Sequence, residues 1–180
     1  QEEALMRRWG QKNGDTRAKR AALYGMLVAL AFLLSYIETL IPAFFWVPGM
    51  KLGLANLVIV MALYLFGWKG GLAISFIRVL LVAFSFTNLF SLYFSLAGAA
   101  ASLLVMAGLK RGGGFGIIGV SLAGGTAHNI AQLCVAAALL GEGVLYYLPV
   151  LLAAGAVTGF CIGLACREIL KRLPGMKSRD

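Results

Sequence analysis

FGIIGVSLAGGTAHNIAQLCVAAALL, residues 115–140, is the stretch from which the rest of the chain can be read. It is mostly apolar and longer than the about 20 residues a helix needs to cross a bilayer. It also carries the chain's one histidine, His128, beside Asn129 and four residues before Gln132. Helical spacing places Ser121, Gly124 or Gly125, His128 and Gln132 on one stripe. Side chains this polar are costly in lipid, so the stripe is expected to face a protein interior or a water-filled cavity. The stretch predicts a membrane helix lining a polar pocket.

The flanking sequence has the same character. Of 180 residues, 61% are hydrophobic and 13% charged, and the mean hydropathy is +0.88. A soluble domain has about 45–50% apolar and about 25% charged residues. The fold expected is all-α: a polytopic bundle of six transmembrane helices over residues 21–170, between a basic N-terminal tail, 1–20, and a basic C-terminal tail, 171–180. The apolar segments are 21–41, 51–66, 70–87, 89–109, 115–140 and 144–170. Between them fall Pro42 to Pro48, Gly67 to Gly71, Asn88, Lys110 to Gly114, and Gly141-Glu142-Gly143, each with turn-forming Gly, Pro or polar residues. The second segment is short for a span and has to tilt or sit beside thinned bilayer. Fusing the third and fourth segments would give five helices instead.

Charge selects the even count. With the N-terminus inside, fourteen of the sixteen Lys and Arg residues fall on the inner side, and only Lys51 and Arg78 do not. That is the asymmetry of a membrane protein whose termini are both cytoplasmic. The net charge of +9 therefore belongs to helix ends and does not indicate nucleic acid. Cys134, Cys161 and Cys166 lie inside apolar segments and read as small reduced hydrophobes. Residues 1–20 have no apolar core and do not read as a signal peptide.

Small residues recur at helical spacing in three places. They are Ala18, Ala22, Gly25 and Ala29 in the first helix, Ser91, Ser95, Gly98 and Ser102 in the fourth, and Gly155, Gly159 and Gly163 in the sixth. Such stripes let helix backbones approach closely. In the fourth and sixth helices, packing within the bundle accounts for them. In the first, the stripe lies opposite Glu38, so one face can serve an inner pocket and the other an outside partner.

Topology then gathers polar residues in the outer half of the bundle: Glu38, Lys51, Asn56, Arg78, Asn88, His128, Asn129 and Gln132. That is the pattern of a cavity open to the outside. A structural reading stands beside it. Glu38 and Arg78 can form a buried ion pair, and amides can cross-link helices at about 0.6 kcal/mol each. A charge at mid-membrane costs about 2.5–3.5 kcal/mol on insertion scales, which favours a functional use for Arg78. Other chemistry is excluded by composition. Asp15 and Asp180 are the only aspartates, so no Asp-rich motif holds magnesium for diphosphate chemistry. One His and three scattered Cys make no zinc site. No Walker A motif is present, so the chain does not hydrolyse ATP itself. No cofactor or metal is expected, and no enzymatic activity.

PGMKLGLAN at 48–56, Arg78, FSLAG at 94–98 and AHNIAQL at 127–133 resemble the Gx transporter family, often labelled heptaprenyl diphosphate synthase component I. The resemblance covers about residues 20–170. That family is similar to the substrate-binding S component of energy-coupling-factor (ECF) vitamin transporters. The resemblance implies a six-helix protein of the prokaryotic plasma membrane, with an outward-facing site gated by the first loop. It implies an AxxxA face on the first helix docking a transmembrane coupling subunit driven by two cytoplasmic ATPases. Ala18-x-x-x-Ala22 and the stripe through Ala29 match that face, with Gly25 as a departure. The missing aspartates argue against the synthase label.

The function expected is capture of a small anionic molecule, related to a vitamin or to isoprenoid and quinone metabolism. Capture would be followed by closure of loop 42–50 and inward release against the partner. Lys51 and Arg78 would attract the anionic group, and Asn56, Asn88, His128, Asn129 and Gln132 would orient the polar part. The rival readings are an accessory subunit of prenyl diphosphate or quinone metabolism, and a stand-alone proton-coupled carrier using Glu38 and His128.

Overall fold

Residues 58–63, VIVMAL, are buried without a break, and the other helices are arranged around them. The computed structural model describes residues 2–40, 53–86 and 89–172. Lys51, Asn88 and loop 42–50 therefore lie outside the described residues. The helices are α1 (Glu2–Leu40), α2 (Asn56–Phe86), α3 (Leu89–Gly112), α4 (Ile117–Leu140) and α5 (Leu148–Arg172), with a short 3-10 helix, Glu142–Tyr147, ahead of α5. There is no strand among the described residues.

Among the described residues five helices are long and apolar enough to cross a membrane, one fewer than the six spans expected. The difference lies in α2, which holds both the second and the third apolar segments. Gly67 (φ 76°, ψ −174°) breaks the helical path inside it. A positive φ of this kind is open to glycine at little cost. A Cβ on Gly71 would lie 3.7 Å from Leu63 N and Cα, although eight residues of straight helix rise about 12 Å. The second limb of α2 thus folds back along the first. The first limb, residues 56–66, is about 16 Å long at 1.5 Å per residue. A hydrocarbon core of about 30 Å is beyond its reach. Hydropathy marked the segment correctly as apolar, but its helical part is a half-span enclosed by protein.

That enclosure explains its composition. A helix apolar on every side belongs in an interior. Val58, Ile59, Val60, Ala62 and Leu63 pack with Leu27 and Ala31 of α1, Ile74 of the second limb, Leu103 and Met106 of α3, Val120 of α4, and Ile162 and Cys166 of α5. The outer helices turn large apolar side chains outward instead, Phe84, Leu104 and Val157 among them, as a lipid-facing surface requires.

Three contacts fix one end of the bundle. Tyr24 of α1 stacks on Phe66 with ring centroids 4.0 Å apart. Lys110, in the last turn of α3, donates to the Leu63 carbonyl at 2.6 Å, and its ammonium lies 4.4 Å from the centre of the Tyr64 ring. The apolar stem of a lysine can lie along the bundle while its charge reaches a polar group near the helix end. Tyr24, the Gly67 turn and Lys110 therefore share one end, and Glu38 and Gly53 lie towards the other.

The sixth-segment glycines serve packing within the bundle. A Cβ on Gly159 would lie 2.8 Å from Leu122 Cα and Ser121 O, and one on Gly163 would lie 2.8 Å from Ile118 Cα. α4 and α5 thus meet backbone to backbone along Gly125, Gly155, Gly159 and Gly163. In α1, by contrast, Ala18, Ala22, Gly25 and Ala29 are exposed, and a Cβ on Gly25 would meet nothing within 4 Å.

Candidate functional site

Glu38, Asn56, Arg78, His128, Asn129 and Gln132 are all buried, each less than a tenth exposed. Helical geometry explains how α1 contributes. Ala31, Ser35 and Glu38 recur at steps of four and three, so they share the face turned to α2. Ser35 accepts from Arg78 Nη1 at 3.2 Å and donates to the Ala31 carbonyl at 2.9 Å. Glu38 stands close enough to Arg78 for their charges to interact. Arg78 Nε has no hydrogen-bond partner among the described residues. A guanidinium has five N–H donors and keeps its charge, so Arg78 retains donor capacity beyond the Ser35 hydroxyl.

The approach to α2 completes the group. Gly53 (φ +83°) precedes a turn in which Asn56 N donates to Gly53 O at 2.8 Å. The Gly53 amide itself donates to Glu38 Oε1. A Cβ on Gly53 would lie 3.1 Å from Asn56 Nδ2 and 3.7 Å from His128 Cδ2. Across the ring, Gly98 of α3 is so near His128 that a Cβ there would stand 2.7–3.0 Å from Cε1, Nδ1 and Nε2. Glu38 is thus bonded to Gly53, Gly53 lies beside Asn56 and His128, Gly98 lies against His128, and Arg78 joins the group through Ser35 and the charge of Glu38.

Of the expected residues on α4, one keeps its place beside His128 and one stands apart. Gln132 lies one turn from His128 on the same buried face of α4. Asn129 turns to α5, where its Nδ2 donates to the Leu151 carbonyl at 2.9 Å. One residue along a helix rotates a side chain by about 100°, so adjacent His128 and Asn129 serve different neighbours. The sequence reading missed Ser35, Gly53 and Gly98 as members of the group. Ser35 was within reach of it, three residues from Glu38 on the same helix. Gly53 and Gly98 carry no side chain, so nothing in their chemistry announces a site. Among the described residues no three His, Cys, Asp or Glu side chains gather as metal ligands.

A buried guanidinium, a carboxylate, an imidazole and amides meeting beside a half-span define a polytopic helical membrane protein with an internal polar site. The chain belongs to the heptaprenyl diphosphate synthase component I family, whose pattern residues 27–169 match. No curated protein matches the chain. Among solved structures it is similar to the S component of a bacterial ECF transporter, with a TM-score of 0.63 and 20% identity over 87% of this chain and 95% of that one. At that identity the likeness establishes a shared fold.

Proposed function

We propose that the chain is the substrate-binding membrane subunit of an ATP-driven importer and takes up a small molecule with an anionic group. The observation that carries this reading is that Arg78, with a donor to spare, and His128 are both buried polar groups, tied to Glu38 through its charge and through Gly53, within a fold similar to an ECF transporter S component. Arg78 attracts the anionic group, His128 and Gln132 hydrogen-bond the polar part from α4, and Asn56 contributes from the start of α2. The aliphatic walls of the bundle receive the apolar part, as in small-molecule sites generally. The bare face of α1, Ala18 to Ala29, is the surface on which a transmembrane coupling subunit would seat, with two cytoplasmic ATPases behind it. The clustering of basic residues at one set of helix ends supports a reading in which both termini are cytoplasmic in a prokaryotic cell.

The synthase wording of the family description has no counterpart in the site. Metal-dependent diphosphate chemistry uses clustered carboxylates, and among the described residues Glu38 is the one buried carboxylate. Native mass spectrometry of the chain purified in mild detergent tests the proposal. A bound small molecule should be released from the wild-type protein and be depleted in Arg78→Gln at unchanged melting temperature. Wild-type protein that releases no ligand, and binds none from a panel of anionic vitamins and prenyl derivatives, would refute it.

A further inference from the structure

His128 is the chain's one imidazole, and it lies between two glycines from other elements. Gly98 backs the Cε1 side of the ring so closely that a Cβ would stand 2.7 Å from that carbon. Side-chain carbons do not pack at such a separation, since van der Waals contact between carbons falls near 3.5–4.0 Å. Gly53 lies near another ring carbon, since a Cβ there would stand 3.7 Å from Cδ2, an ordinary van der Waals contact. Gly53 is in turn fastened, because its amide donates to Glu38 Oε1. Glu38 and Gly98 thus both bear on the imidazole, the first through Gly53 and the second by leaving room.

We propose that Glu38 and Gly98 are positioning residues for His128: Glu38 latches Gly53 against one side of the ring, and Gly98 supplies the space the ring occupies. The inference rests on the polar group being a binding site and changes the part played there by Glu38. Its carboxylate accepts from the Gly53 amide as well as lying close enough to Arg78 for their charges to interact. An anionic ligand then meets Arg78 while Glu38 is turned to a backbone donor, which lessens the repulsion between two negative groups. The imidazole is presented to the ligand in one orientation.

Carbethoxylation by diethyl pyrocarbonate tests this cleanly, because a single histidine gives a single modified imidazole. The full chain in detergent, without ligand, is followed by peptide mapping of His128. Wild type should react slowly. Glu38→Ala should react about five-fold faster, the shift in an opening equilibrium expected for one lost hydrogen bond. Glu38→Gln keeps an acceptor oxygen for the amide and loses the charge, so it should stay within about two-fold of wild type. Gly98→Ala should displace the ring and raise the rate, with α3 intact by melting temperature. Equal rates in wild type and Glu38→Ala overturn the latch. A Glu38→Gln rate as high as that of Glu38→Ala makes charge the operative property and also overturns it. If Glu38→Ala does not fold, Glu38→Gln and Gly98→Ala decide: protection kept in the first and lost in the second is expected, and any other pair of results refutes the assignment. Any co-purified ligand is first removed and its absence checked by native mass spectrometry, so a chain that binds nothing can still show the latch, and failure of binding is read separately.

Discussion

Two stripes of small residues, alike in the sequence, have opposite surroundings in the fold. Gly155, Gly159 and Gly163 of α5 lie directly on the backbone of α4. Ala18, Ala22, Gly25 and Ala29 of α1 are exposed, and space beside Gly25 is open to at least 4 Å. Small residues at helical spacing therefore specify a close approach and do not specify its partner. On α5 the partner is the neighbouring helix. On α1 the described residues supply none, because Leu27, Ala31 and Ser35 carry its packing on another face. The difference is what a subunit that docks through α1 requires.

The largest effect should come from bulk on the covered stripe. Gly159→Leu drives a side chain into Leu122 and the Ser121 carbonyl, where backbone leaves no room to give. A loss of more than about 3 kcal/mol is expected, read as failed expression or a sharply lowered melting temperature. Near-normal melting would mean that α4 and α5 can separate at little cost.

Next comes the polar group, which α1 touches with its buried face. Arg78→Gln should weaken binding of the co-purified ligand by about 2–5 kcal/mol, the range for truncating one member of a buried charged pair. Affinity by titration and melting temperature should be measured for Arg78→Gln, Glu38→Gln and the double variant. Unchanged affinity with stability restored in the double variant would make Arg78 scaffold and detach α1 from any binding role.

A smaller loss is expected at the far end of α1. Lys110→Met removes the donor to Leu63 O, which holds the end of α3 to the half-span. The expected cost is about 1 kcal/mol, measured by thermal unfolding in detergent. No change would show that Tyr24 and Phe66 alone secure that end.

These variants also mark how far the sequence could be read. The apolar segments and the breaks at Gly67, Gly113 and Gly141 were legible, because hydropathy and glycine punctuation report local properties. So was the shortness of the second segment ahead of Gly67, but the enclosure of residues 58–63 was not, since hydropathy counts apolar length while enclosure is a tertiary fact. Glu38, Asn56, Arg78, His128 and Gln132 were legible as buried polar groups because lipid penalises them. Asn129 was grouped with them by adjacency, although a step of about 100° along the helix separates it from His128. Gly53 and Gly98 were hidden because their contribution is absent volume.

The smallest effect on the fold, and the most telling for function, belongs to the bare stripe. Gly25→Leu should leave the melting temperature close to wild type, within about 0.5 kcal/mol of stability, because the added side chain points away from the bundle. Co-purification from membranes in mild detergent then tests the importer reading most directly. Wild-type chain should bring down a transmembrane coupling subunit with two ATPases, and Gly25→Leu should lose both while still releasing its ligand in native mass spectrometry. Wild-type chain that purifies without any ATPase, or a Gly25→Leu variant that keeps its full complement, would contradict the account.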